Sequence, residues 1–267
     1  MPELPEVETV RAELELHITG KTISEIDKRR DNIRIAIPDL SVLHGKKISR
    51  IERRAKYLII HFAKYNDALV IHLGMSGKIL LGTGLARKNH DHVIFHFTDN
   101  SEMVFNDARR FGVVTLLSQS AKLFNHLGPE PFSDEFNFAY LNKSLKNRKT
   151  PIKVAILDQA LVVGVGNIYA SEALFRSRIN PKTPANKVRE LSGLIKNIRA
   201  VLQDSIDAGG STLRDYRQTS GRIGKFQHKF DVYGKTNKPC PRCGTLITQI
   251  TQAGRSTFYC QNCQKQG

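Results

Sequence analysis

The pattern Cys240-x2-Cys243-x16-Cys260-x2-Cys263 constrains this chain more than any other feature. Thiolates two residues apart on a tight turn can share one ion, and two such pairs complete a tetrahedral site. All four cysteines of the chain belong to the pattern, so no thiol is left over. Two disulfides are the competing reading, and they need an oxidising compartment. The opening residues Met1-Pro2-Glu3-Leu4-Pro5-Glu6 are acidic and proline-interrupted, the reverse of a secretory signal. The expectation is one structural zinc ion held by Cys240, Cys243, Cys260 and Cys263, with no position open for water, in a cytoplasmic protein. Between the knuckles, residues 244–259 alternate as a β-hairpin and carry a single cation, Arg255. An arginine there is either solvated or set against a phosphate.

Charge narrows the partner. Lys and Arg number 41 against 25 Asp and Glu, a net +16, and residues 211–267 hold ten of the cations against only Asp215 and Asp231. Such an excess suits a polyanion. Binding to a membrane surface would want a basic amphipathic helix, whereas this segment is rich in Gly, Thr, Gln and Cys. No apolar run approaches the roughly 20 residues of a membrane span. Nucleic acid is the favoured partner.

The hydrophobic period changes along the chain. Pro5 suits the first turn of a helix, and Val7, Val10, Leu14 and His17 repeat at helical spacing until Gly20. From Lys21 to about Leu117 the period is two, with β-branched and aromatic runs at 57–62, 68–73, 92–97 and 112–117. Many short strands in a row predict a two-layer antiparallel sandwich. After the break at Gly128-Pro129-Glu130-Pro131, helices are predicted with Thr150-Pro151 as cap and first residue of 152–159, then over 168–178 and 188–207. The fold class is α+β in two domains: an N-terminal helix and antiparallel β-sandwich, then a helical bundle with a C-terminal four-cysteine hairpin. The boundaries expected are 1–130, 131–230 and 231–267.

Several residues admit both a bland and a chemical reading. Glycines in Gly164-x-Gly166-Asn167 either form a turn or open a phosphate site at a helix start. Met75 and Phe111 are either core side chains or wedges at loop tips, and Lys56 is either a surface cation or a functional one. Removal of Met1 before Pro2 would leave a secondary amine whose pKa is nearer neutrality than any lysine's. Such an amine can attack an acetal carbon, with Glu3 as general acid.

Together these residues resemble the formamidopyrimidine-DNA glycosylase family. The resemblance runs end to end, through Pro2-Glu3-Leu4-Pro5-Glu6-Val7-Glu8-Thr9, Arg54-Ala55-Lys56-Tyr57-Leu58, His72-Leu73-Gly74-Met75-Ser76-Gly77, His90-Asp91-His92-Val93, Arg109-Arg110-Phe111-Gly112, Leu127-Gly128-Pro129-Glu130-Pro131, Gly164-Val165-Gly166-Asn167-Ile168-Tyr169 and the four cysteines. It implies a helix–two-turn–helix bundle and a monomer that binds double-stranded DNA containing oxidised bases in the cleft between its domains. It implies excision of oxidised purines (8-oxoguanine and formamidopyrimidines) through a Pro2 Schiff base, with Glu3 supplying a proton, followed by β,δ-elimination. Lys56 and Arg255 carry over as the groups assigned to the two eliminations. His72, His90, Lys149 and Asn167 match backbone-contacting positions, while Met75, Arg109 and Phe111 match the side chains that fill the void left by a flipped nucleotide. The stretch 218–226 matches a lesion-capping loop in its glycines alone. The octapeptide departs from the endonuclease VIII branch, which acts on oxidised pyrimidines and remains the rival enzyme reading. A non-catalytic zinc-ribbon DNA-binding protein is the other.

Overall fold

Helix α1 spans Leu4–Ile18 and starts on a reciprocal cap. The Glu3 side chain accepts from the Glu6 amide, while Glu6 Oε2 accepts from the Glu3 amide at 2.9 Å. Val7, Val10, Leu14 and Ile18 are buried on one face, each contributing about 1.5–3 kcal/mol of apolar burial. The fourth member of that stripe is Ile18 rather than the expected His17, which is exposed. Four residues beyond Leu14 return closer to the buried face than three do here. This computed structural model describes residues 2–119, 121–211 and 226–265, so most of the 218–226 stretch lies outside the described residues.

Eight strands follow: β1 (Ile23–Lys28), β2 (Ile48–Arg54), β3 (Tyr57–Phe62), β4 (Ala68–His72), β5 (Lys78–Thr83), β6 (Asp91–Phe97), β7 (Ser101–Asn106) and β8 (Val113–Leu116). They form two antiparallel sheets, ordered β2-β3-β4-β8 and β1-β6-β7-β5. Leu58, Ile60, Leu69 and Ile71 of the first sheet share one core with Phe95, Phe97, Met103 and Phe105 of the second. The α1 stripe belongs to the same core, and the helix packs on β2 and β3. Three connections switch between the sheets: residues 29–47 carry the chain from β1 to β2, Leu73–Gly77 carries it from β4 to β5, and Asp107–Gly112 returns it from β7 to β8.

A short helix α2 (Ala121–Phe124) is followed by α3 (Phe138–Leu145), α4 (Ile152–Ile156), α5 (Asn167–Arg176), α6 (Leu191–Asp207) and the hairpin strands β9 (Thr248–Gln252) and β10 (Arg255–Tyr259). By compactness the chain divides into Met1–Asn125 with Ala208–Gln227, and His126–Asp207 with His228–Gly267. Thus the cysteine hairpin shares a unit with the helices.

Two helices are shorter than their patterns. α4 starts after Pro151, which is its N-cap, and stops at Ile156. The Asp158 carboxylate accepts from the Ala160 amide at 3.0 Å, and this local turn competes with continuation of the helix. α6 begins at Leu191 rather than 188 and ends before Gly209 and Gly210, both at positive φ. In this unit Tyr169 on α5 meets Ser205 on α6 through a buried 2.6 Å hydrogen bond.

Candidate active site and DNA-binding residues

Pro2 and Glu3 sit buried at the start of α1. The Glu6 carboxylate that accepts from the Glu3 amide also accepts from the amide and hydroxyl of Ser211, both at 2.8 Å. One carboxylate therefore fixes the backbone beside Pro2 to a distant point in the chain.

Lys56 occupies the β2–β3 turn and is 8% exposed. Ala55 before it takes the left-handed conformation at φ +53°, a strain of roughly 1–2 kcal/mol for a residue with a Cβ. Arg53 holds the turn: Nη1 donates to the Ala55 carbonyl at 2.9 Å, and Nε pairs with Glu8 of α1 at 2.8 Å.

His72 ends β4 opposite Tyr57 in register, with ring centroids 4.7 Å apart. Burial, helped by the charges of Lys56 and Arg34, pushes its imidazole pKa down to about 4, against a smaller pull from Asp107. Nδ1 accepts from the Gly74 amide at 3.0 Å. The neutral ring therefore carries its proton on Nε2, as a donor rather than a cation.

Met75 lies half-buried in the β4–β5 turn and outside the sandwich core. Arg109 is exposed, and its guanidinium lies 5.3 Å from the ring centre of Phe111, itself 43% exposed. His90 is exposed at φ +74°, and its carbonyl accepts from the Asp107 amide at 3.0 Å. The fold thus gathers His72, Met75, His90, Arg109 and Phe111 around the β4–β5 and β7–β8 connections, with Lys56 close enough to act electrostatically on His72.

In the other unit, Asn167 is the first residue of α5, behind Gly166, an N-cap with no side-chain bond. Its amide group is engaged internally: Oδ1 accepts from Lys153 Nζ at 2.6 Å, and Nδ2 donates to the Ser256 carbonyl of β10 at 2.9 Å. Arg255, next to Ser256, is exposed beside the hairpin turn. Asn167 and Arg255 are therefore brought together, whereas Lys149 is exposed in the connection between α3 and α4. The two turns before α5 are fastened by Gln159, whose Oε1 accepts from the Gly164 amide at 2.8 Å and whose Nε2 donates to the Val165 carbonyl at 3.1 Å.

The four cysteine sulfurs lie within 4.8 Å of one another. Cys240 and Cys263 are 3.9 Å apart and Cys243 and Cys260 are 3.5 Å apart. Tetrahedral bonds of about 2.3 Å would set such separations near ~3.8 Å. A disulfide would bring them to about 2.05 Å. Backbone amides of Arg242 and Cys263 point at the Cys240 and Cys260 sulfurs at 3.4 Å, giving the thiolates donors. Arg242 lies over the Phe175 ring at 4.6 Å and donates to the Phe175 carbonyl at 3.1 Å, joining the knuckle to α5.

Sequence reasoning missed the residues that hold these groups in place. Lys153 has no exposed surface, and its Nζ donates to Asn167, the Ser256 carbonyl and Thr257 Oγ1. Glu172 accepts from three successive amides, Asp231, Val232 and Tyr233, at 2.8–3.0 Å. Asp107, Ser76 and Gln159 belong with them. The available signal was chemical: a lysine or carboxylate inside an otherwise apolar run must find partners.

Comparison with known proteins follows the same division. The formamidopyrimidine-DNA glycosylase N-terminal domain matches residues 1–114, and the H2TH domain of that enzyme matches residues 127–217. The chain belongs to the formamidopyrimidine-DNA glycosylase family. The zinc finger found in FPG and IleRS matches residues 237–266, and with the sulfur geometry it identifies one structural zinc ion as the ligand of the four cysteines. The formamidopyrimidine-DNA glycosylase of Wolbachia sp. subsp. Brugia malayi is 49% identical, over 99% of this chain and all of that protein. That of Dinoroseobacter shibae is 46% identical, with the same coverage. A Lactococcus lactis FPG variant bound to DNA containing Fapy-dG is 37% identical, with a TM-score of 0.91 over 99% of this chain and all of that one. The Lactococcus lactis enzyme bound to DNA with an abasic site gives 0.90 at the same identity and coverage. Among the described residues, no helix is long and apolar enough to cross a membrane.

Proposed function

We propose that this chain excises oxidised purines, 8-oxoguanine and formamidopyrimidines, from duplex DNA and then cleaves the strand, acting as a cytoplasmic monomer on the chromosome. One observation carries the reading: a Pro2-Glu3 pair opens a helix locked at its first turn, in a chain that matches lesion-bound family members along 99% of its length.

Once Met1 is removed, Pro2 is a secondary amine with an ordinary α-amino pKa of about 8, so roughly a tenth is unprotonated at pH 7. Its nitrogen bonds to C1′ as the C1′–N bond to the base breaks; the base leaves with that electron pair and takes up a proton, and the new ammonium nitrogen releases its own proton, which frees its lone pair. The C1′–O4′ bond then opens, Glu3 delivers a proton to O4′, and the nitrogen lone pair closes a cationic iminium. Loss of a C2′ proton expels the 3′-phosphate, and a later proton loss from C4′ expels the 5′-phosphate. Lys56 and Arg255 stand by these two steps and against the flanking phosphates. Neutral His72 donates from Nε2, His90, Lys149 and Asn167 border the backbone, and Met75, Arg109 and Phe111 fill the space of the everted nucleotide. The zinc hairpin presents Arg255 and takes no part in bond making. The domain limits 1–130, 131–230 and 231–267 follow this division of labour.

A pyrimidine-directed activity is the second reading, favoured by the Lactococcus lactis enzyme having been solved with DNA containing an oxidised pyrimidine. Incubation with 8-oxoguanine:cytosine and thymine-glycol duplexes, with sizing of the cleaved strand, separates them. The purine duplex should be cut faster, leaving a one-nucleotide gap with phosphate on both sides. Preferential cleavage of thymine glycol would overturn the purine assignment, and binding without cleavage of either would return the chain to a non-catalytic DNA-binding role.

A further inference from the structure

The β4–β5 and β7–β8 connections, two of the three that switch sheets, converge on Asp107, which has no exposed surface. Oδ1 accepts from Ser76 Oγ at 2.6 Å and from the Arg109 amide at 3.3 Å, while Oδ2 accepts from the Gly112 amide at 2.7 Å. The Asp107 carbonyl accepts from His92 Nε2 at 2.7 Å, which anchors the loop on β6. Ser76 Oγ, having donated to Asp107, accepts from the Arg109 amide at 3.0 Å. The two connections also meet backbone on backbone. A Cβ on Gly74, which sits at φ +62°, would lie 2.4 Å from the Phe111 carbonyl carbon and 2.6 Å from the Gly112 nitrogen.

We infer that Asp107 and Ser76 are positioning residues that weld the Met75 turn and the Arg109–Phe111 loop into one preformed wedge. The inference rests on the reading above, that these three side chains occupy the space of the everted nucleotide. Met75 leaves from one connection and Arg109 and Phe111 from the other, and all three are partly or largely exposed. On independent loops each would have to be ordered at the moment of insertion; on a shared carboxylate they enter the duplex already aligned. Ser76 carries the most specific link, since its hydroxyl joins the first connection both to the amide of Arg109 and to Asp107.

The test compares Ser76→Ala, Asp107→Asn and Met75→Ala on two substrates: 8-oxoguanine paired with cytosine, and 8-oxoguanine opposite an abasic gap, where the lesion is already poorly stacked. Single-turnover excision from the paired duplex should slow roughly tenfold or more in Ser76→Ala, because a misplacement of about 1 Å in an aligned site can cost up to roughly a hundredfold. Excision opposite the gap should stay within about threefold of the parent, and Ser76→Thr, which keeps the hydroxyl, should recover the paired rate. Asp107→Asn should repeat the pattern; should it fail to fold, Ser76→Ala decides. If folded Ser76→Ala matches the parent on paired DNA while Met75→Ala is slow, the weld is wrong. An equal loss on both substrates would make Ser76 merely structural and also overturn the inference. If Met75→Ala itself excises normally from paired DNA, the failure lies in the void-filling reading instead.

Discussion

The Glu6 carboxylate lies 2.8 Å from both the amide and the hydroxyl of Ser211, 205 residues further along the chain. Its second oxygen holds the Glu3 amide. The residue beside the proposed nucleophile is thereby tied to the segment that follows α6. Glu6→Gln keeps the volume and weakens a set of hydrogen bonds to a charged group, each worth about 1.5–3 kcal/mol when buried. Excision and covalent trapping should both fall by roughly tenfold or more, with affinity for lesion DNA changed far less. Single-turnover rates beside a binding titration check this, and a loss confined to affinity would contradict it.

Lys153 tests the second unit in the same way. Lys153→Met preserves an unbranched side chain but strips the donor from Asn167 Oδ1, the Ser256 carbonyl and Thr257 Oγ1. The Ser256 carbonyl keeps the Asn167 Nδ2 donor, but each of the other two buried acceptors left unpaired costs about 1–3 kcal/mol, so the melting temperature should drop by several degrees. Affinity for DNA should fall further than in Arg255→Ala, because Asn167 and β10 both lose their tether. Zinc content should remain at one per chain.

Metal dependence follows from the knuckles. Cys243→Ser, or exhaustive chelation, should release zinc, unfold the β9–β10 hairpin and weaken DNA binding. Arg255→Ala should keep the metal and lower the salt dependence of binding by about one phosphate contact. Equal DNA affinity of the metal-free and zinc-loaded proteins would contradict a structural role for the ion.

The sign of the His72 effect is fixed by burial, with the charges of Lys56 and Arg34 acting in the same direction. Its folded pKa of about 4 lies below the ordinary 6.5, so between those values the unfolded chain binds the extra proton. Stability should therefore be flat above about pH 6.5 and decline as pH falls toward 4. His72→Gln should flatten that decline, as read from melting temperatures across pH 4.5–7.5. Affinity for DNA between pH 6 and 8 should show no step that disappears in His72→Gln.

Legibility in the sequence followed the range of the interactions. The sandwich strands and α1 were readable because short β-branched and aromatic runs such as 57–62, set off by turn residues, mark strands, and helical spacing from Val7 to Leu14 reports which face is buried. The cysteines were readable because a metal site requires its own spacing. Helix ends were less so: Thr150 has the chemistry of a cap, yet the chain caps α4 with Pro151. The supporting residues were least legible, since Asp107 and Ser76, Lys153 and Thr257, and Glu6 and Ser211 are paired only by the tertiary fold. Seen in one dimension, Lys153 is one more cation in a basic chain.

The central claim is that the Pro2 nitrogen is the nucleophile, and its rival is the Lys56 side chain. An unperturbed lysine near pKa ~10.4 is almost wholly protonated at pH 7, whereas a terminal amine near ~8 is not. The direct measurement is borohydride trapping on an 8-oxoguanine:cytosine duplex, followed by proteolysis and mass analysis of the cross-linked peptide. The account predicts the sugar remnant on the N-terminal peptide at Pro2, and no adduct when Met1 is retained although DNA still binds. An adduct on Lys56, or full trapping with Met1 in place, would contradict it.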